Sequence, residues 1–137
     1  MRAQSVTAPG AFYPKPSRRE VRDPYDGLRP WSAITHGAGA ALAGAGTAWL
    51  LIRSALASNW LLFALFAVYG FSMICLYTAS TLYHCLNGPV SARIALRKYD
   101  HCSIYLLIAG SYTPLCLTAQ RDTAGLPLLA AVWALAL

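Results

Sequence analysis

Charge is scarce in this chain of 137 residues. Asp, Glu, Lys and Arg make up 12% of it, against roughly 25% in an ordinary soluble domain. No two of the four cysteines have Cys-x-x-Cys spacing. Cys75 and Cys116 fall inside apolar runs and read as small hydrophobes. Cys85 and Cys102 fall beside basic residues, at an end read as cytoplasmic, where thiols stay reduced. No structural disulfide is expected. There is no Gly-x-x-x-x-Gly-Lys phosphate loop and no Gly-x-Ser-x-Gly elbow. No apolar stretch precedes a cleavage site near the amino terminus, so the chain does not start like a signal peptide. No internal repeat is visible.

Apolar residues are abundant instead, at 57%. They come in blocks about 20 residues long, which is the length of a membrane span. The formal charge of +6 comes from basic residues that flank those blocks. Membrane topology and anionic lipid explain it better than nucleic acid does. The expected fold is therefore all-α, a multi-pass transmembrane helix bundle, with membrane lipids as its surroundings.

Residues Met1–Pro30 carry five prolines and no apolar periodicity. They read as a disordered basic tail. Residues 31–137 read as the transmembrane domain. The first span is expected over about Trp31 to Ile52, with Trp31 as an interfacial anchor. Its small residues, among them Ala40, Gly44 and Ala48 at four-residue spacing, permit close helix approach in lipid. Arg53, Ser54, Ser58 and Asn59 then form a loop. The second span is expected from Trp60 to Leu86, ended by Asn87-Gly-Pro89. Arg93, Arg97 and Lys98 belong to a second loop, and the third span covers about Tyr99 to Thr118. Pro114 should kink or end it, because proline removes a backbone donor. The last apolar run, Leu126–Leu137, covers roughly 18 Å at 1.5 Å per residue, short of the roughly 30 Å hydrocarbon core. The chain looks like the front half of a longer membrane protein, with three complete spans and part of a fourth.

Basic residues set the orientation. Six lie in the tail and three between the second and third spans, against Arg53 and Arg121 alone on the other side. The positive-inside rule then makes the amino terminus cytoplasmic. It also brings His36, Ser80, His84, Asp100 and His101 to the cytoplasmic end. The second span is apolar over Leu61–Val68 and polar in its second half. That pattern points to a cavity open on one side.

Ser80 and His84 are four apart, so they share one helix face. Ionisable groups at membrane segments are costly and mark function by default. His84 is the best metal candidate, since a neutral imidazole is a normal zinc ligand. Its plain alternative is an interfacial histidine bonded to water. Asp100 suits either a carboxylate that holds or deprotonates water, or a helix N-cap. Ser80 either orients a reacting group or bonds back to the preceding turn. A local site of His84, Cys85, His101 and Cys102 is disfavoured, because adjacent helical residues point about 100° apart.

Several stretches carry a resemblance: Thr35-His36-x-x-Gly39, Tyr69-Gly-Phe-Ser, Leu76-Tyr-x-x-Ser80-x-x-Tyr83-His84 and Asp100-His101-x-x-Ile104-Tyr-Leu-Leu-Ile-Ala-Gly110-Ser-Tyr-Thr-Pro114. In this order they resemble the hemolysin III proteins, which belong with the progestin and adiponectin receptors and the alkaline ceramidases. The resemblance implies a seven-span bundle and a zinc site that includes His84, with Ser80 as the site serine and Asp100 beside it. It also implies two further ligands from an His-x-x-x-His motif on the final span. That motif is absent here, so the zinc site of this chain is expected to be incomplete. The implied activity is hydrolysis of a lipid amide, and the family name implies cytolysis as the alternative.

Overall fold

The computed structural model describes residues 27–121 and 124–137; the basic tail up to residue 26 lies outside them. Four α-helices follow one another: α1 (Pro30–Leu56), α2 (Trp60–Cys85), α3 (Val90–Leu117) and α4 (Gly125–Ala136). No strand occurs among the described residues.

Helix ends are set by local chemistry. Pro30 opens α1, where its missing N–H is no loss. Residues 57–59 make the first turn. Asn59 caps α2 by accepting the Leu62 N–H at 3.1 Å. Asn87-Gly-Pro89 ends α2, and α3 starts directly after the proline. Arg53 and Ser54 are thus the last turn of α1 and not a loop. Arg93, Arg97 and Lys98 are likewise helical, since the connection to α3 is only residues 86–89. Pro114 does not interrupt α3, which runs three residues further. Proline deletes one hydrogen bond there, but the helix continues, with the Thr118 N–H donating to the Pro114 carbonyl at 3.0 Å.

Each helix packs on the next one, and other pairs do not touch among the described residues. Paired residues fix the directions. His36, Gly39 and Thr47 of α1 meet Ser80, Tyr77 and Gly70 of α2 in reverse order. Gly110 of α3 lies on Ser72 of α2, and Arg93 reaches Tyr83 and Leu86. Thr113 of α3 meets Trp133 of α4 at 3.1 Å. The result is an antiparallel row of helices with α2 between α1 and α3.

The packed face of α1 is Ala33, Ala43, Thr47 and Ser54, all buried. The expected stripe of Ala40, Gly44 and Ala48 is turned away: Ala48 is exposed and nothing lies within reach of Gly44. Several small-residue stripes fit α1, and only the partner helix selects one. Side chains buried in the row are mostly small, Leu65 and Arg93 excepted, and several carry hydroxyls that bond to carbonyls one turn back, as Ser54, Ser72 and Thr113 do. Large apolar side chains point outward, among them Trp31, Leu42, Trp49, Trp60 and Phe71. Outward apolar and inward polar is the arrangement of helices in lipid. By length and composition α1 and α2 are able to cross a membrane. α3 has the length, but its first turns are charged.

Candidate functional site

The polar end of the row is built where α1 begins, α2 ends and α3 begins. Backbone and side-chain bonds tie these three together. The Arg29 N–H donates to the His84 carbonyl at 3.2 Å. Arg93 of α3 is 2% exposed. Its guanidinium donates to the Leu86 carbonyl at 2.9 Å and also to the Tyr83 carbonyl. It stacks on the Tyr83 ring, 4.7 Å from the centroid. The last carbonyls of α2 lack helical partners and carry the negative end of the helix dipole, so a cation settles there. The three basic residues expected in a loop are therefore on α3, and Arg93 closes the end of α2.

Inside this frame His36 and Ser80 meet, with His36 Nδ1 and Ser80 Oγ 2.6 Å apart. Ser80 is buried, at 6% exposure. The His84 ring lies 5.8 Å from the His36 ring, tilted by 52°, and 5.0 Å from the Tyr83 ring. Tyr77 borders His36 edge-on at 6.2 Å. His84 Nδ1 is buried and has no hydrogen-bond partner. That is unusual for a buried ring nitrogen.

Asp100 lies in the third turn of α3, half-buried, 3.8 Å from the Nδ1 of exposed His101. The N-cap alternative for Asp100 falls, because α3 starts ten residues earlier and Pro89 precedes it. Asp100, His36, Arg29 and Arg93 lie within electrostatic reach of His84. Ser80 and His84 thus share one end of the row with Asp100, but the bonding partner of Ser80 is His36. Sequence reasoning gives His36 no role, although it stands in the Thr35-His36-x-x-Gly39 stretch. Arg93 is missed for the opposite reason, because a basic residue after Gly-Pro reads as topology.

The four cysteines are free thiols, and Cys85, Cys102 and His101 are exposed. Among the described residues no three His, Cys, Asp or Glu side chains are grouped to hold a metal ion. The local set of His84, Cys85, His101 and Cys102 is therefore not assembled.

Residues 30–137 match the family described as haemolysin-III related. The chain is 42% identical over 106 residues to "Hemolysin-3" of Bacillus cereus, covering 77% of this chain and 48% of that protein. It is 42% identical over 107 residues to "Hemolysin-3 homolog" of Bacillus subtilis (strain 168), covering 77% and 49%. The chain spans about half the length of these relatives. No solved structure matches it. The match covers every helix described above, and the chain is a membrane protein of the haemolysin-III related family.

Proposed function

We propose that this chain is part of a zinc-dependent membrane hydrolase acting on a lipid amide, with its site at the cytoplasmic face. The observation that carries the reading is the orphaned Nδ1 of His84, buried at the polar end of the row. A ring nitrogen with neither donor nor acceptor is a position that a metal ion would satisfy. His84 fits one ligand position, and no further ligands are grouped with it among the described residues. Bound zinc would supply a Lewis acid that polarises a carbonyl and acidifies water.

The chain's own residues divide the remaining work. Asp100 accepts a proton from the attacking water and returns it to the departing amine. Water oxygen thereby bonds to the carbonyl carbon as the carbon–nitrogen bond breaks, giving a fatty acid and an amine. Ser80 orients the carbonyl oxygen. Arg93 and the Arg29 N–H hold the end of α2, and hence His84, in place.

Orientation is part of the proposal. Antiparallel packing puts Arg29, Arg93, Arg97 and Lys98 at the site end of the row and Arg53 and Arg121 at the other. The chain then crosses the membrane several times with its amino terminus in the cytoplasm. A pore is the second reading, drawn from the names of the Bacillus relatives. A pore needs polar lining along a whole span, whereas α2 is apolar from Leu61 to Val68.

The test is metal analysis and ceramide hydrolysis on the purified protein and the Bacillus subtilis relative. Zinc-dependent hydrolysis in the relative, with only weakly held zinc in this chain that is lost on His84→Ala, is the expected result. Zinc that survives His84→Ala overturns the ligand assignment. Dye leakage from vesicles that ignores chelators supports the pore.

A further inference from the structure

We propose that His36 is the positioning residue of Ser80, so that the pair forms the hydroxyl component of the site. This rests on the hydrolase reading for its activity but not for its geometry. Serine hydroxyls in helices fall by default on the carbonyl one turn back. Ser54, Ser72 and Ser103 of this chain do so, and so does Thr81, the next residue after Ser80, at 2.7 Å from the Tyr77 carbonyl. Ser80 has a partner on another helix, the His36 Nδ1 at 2.6 Å, 44 residues away in sequence. The bond draws the hydroxyl out of its own helix groove and into the α1–α2 interface, where the His84 ring also lies.

The backbone of α1 is shaped for this bond. Gly39, one turn beyond His36, receives the face of Tyr77; a Cβ there would stand 2.8 Å from Tyr77 Cδ1. Gly37 lies beside Thr81, with 3.7 Å from a Cβ to its methyl group. An alanine would fit at Gly37, so it is Gly39 that lets α1 approach the face of α2 that carries Tyr77, Ser80, Thr81 and His84. His36 is thereby near enough to reach Ser80 directly.

An imidazole Nδ1 is either donor or acceptor, and Ser80 keeps the complementary function for a substrate. With Nδ1 donating, Ser80 retains its own O–H for a carbonyl oxygen. With Nδ1 accepting, Ser80 offers lone pairs to water or an amide N–H. In both tautomers His36 sets the Ser80 rotamer without touching the reacting atoms.

The experiment has two arms on the whole chain. In the first, the ring nitrogens of 15N-labelled histidines are observed by NMR in lipid nanodiscs, with and without Ser80→Ala. The His36 signals should move and those of exposed His101 should not. In the second, ceramide hydrolysis is measured for His36→Leu, His36→Asn and Gly39→Ala. His36→Leu should lower kcat about 10–100-fold with KM unchanged. His36→Asn, whose amide reaches the place of Nδ1, should recover most of it. Gly39→Ala, which pushes α1 off α2, should fall between them. Unmoved His36 signals, or His36→Leu with the parent kcat, would overturn the proposal. Moved signals would support the pairing whether or not this chain hydrolyses ceramide, and absent hydrolysis in the Bacillus subtilis relative as well would sink the hydrolase reading alone.

Discussion

Thr47 of α1 lies directly on the backbone of Gly70 of α2, where a side chain of any size would collide with its hydroxyl and methyl group. Both residues are buried. Lipid offers apolar helices no hydrophobic reason to associate, so such contacts supply much of their attraction. Gly70→Ala should destabilise the row by about 1–3 kcal/mol. Thr47→Ala in the same chain should restore part of that loss, because it vacates the space. Thermal or SDS-induced unfolding of the four proteins of this double-mutant cycle measures the coupling. Additive effects would show that the two residues do not meet.

The Thr47 hydroxyl gives a separate prediction. Its Oγ1 is buried without a partner, and an unsatisfied buried polar atom costs about 1–3 kcal/mol. Thr47→Val keeps the shape and removes the orphan. The variant should unfold at a higher temperature than the parent, or at least not at a lower one. A clear loss of stability would mean that the hydroxyl has a partner.

Arg93 is the only basic side chain in the buried set of the described residues. Arg93→Leu frees the Tyr83 and Leu86 carbonyls, and a bond to a charged group contributes about 1.5–3 kcal/mol. A loss of at least that size is expected. Arg93→Lys should fail to restore it, because an ammonium lacks the planar fork that reaches two carbonyls and stacks on Tyr83. Stability equal to the parent in Arg93→Lys would reduce the residue to a topology charge.

Orientation is open to labelling in cells. Ala57→Cys lies in the exposed turn after α1, and native Cys85 is exposed at the opposite end. A membrane-impermeant maleimide should modify position 57 in intact cells and reach Cys85 only after permeabilisation. The reverse pattern would move the site to the outer face.

Under the proposed function His84 and Asp100 have different jobs. Asp100→Asn should cut lipid-amide hydrolysis about 10²–10⁴-fold, the usual worth of a positioned proton acceptor, while zinc content stays unchanged. His84→Ala should remove both. Equal zinc loss in the two variants would make Asp100 a metal-holding residue.

The sequence by itself determined the helical class, the chain breaks near Asn59 and Asn87-Gly-Pro89, and the polar end. Runs of about 20 apolar residues cannot be loops, and Asn59 and Asn87-Gly-Pro89 are stop and start signals that act locally. Ser80 and His84 were legible on one face because helical period is also local. Tertiary structure alone decided what each residue faces. Ala40, Gly44 and Ala48 made a sound packing stripe, yet α2 took the stripe of Ala43 and Thr47, since several faces of α1 are small and only the partner chooses. Arg93 reads as loop, and a cap is one of the two readings of Asp100, because charge resembles a boundary. In the fold they are helical, because the unpaired carbonyls at the end of α2 give Arg93 a bonded place inside. The meeting of His36 with Ser80 needed two helices brought together in antiparallel register, which no local pattern encodes.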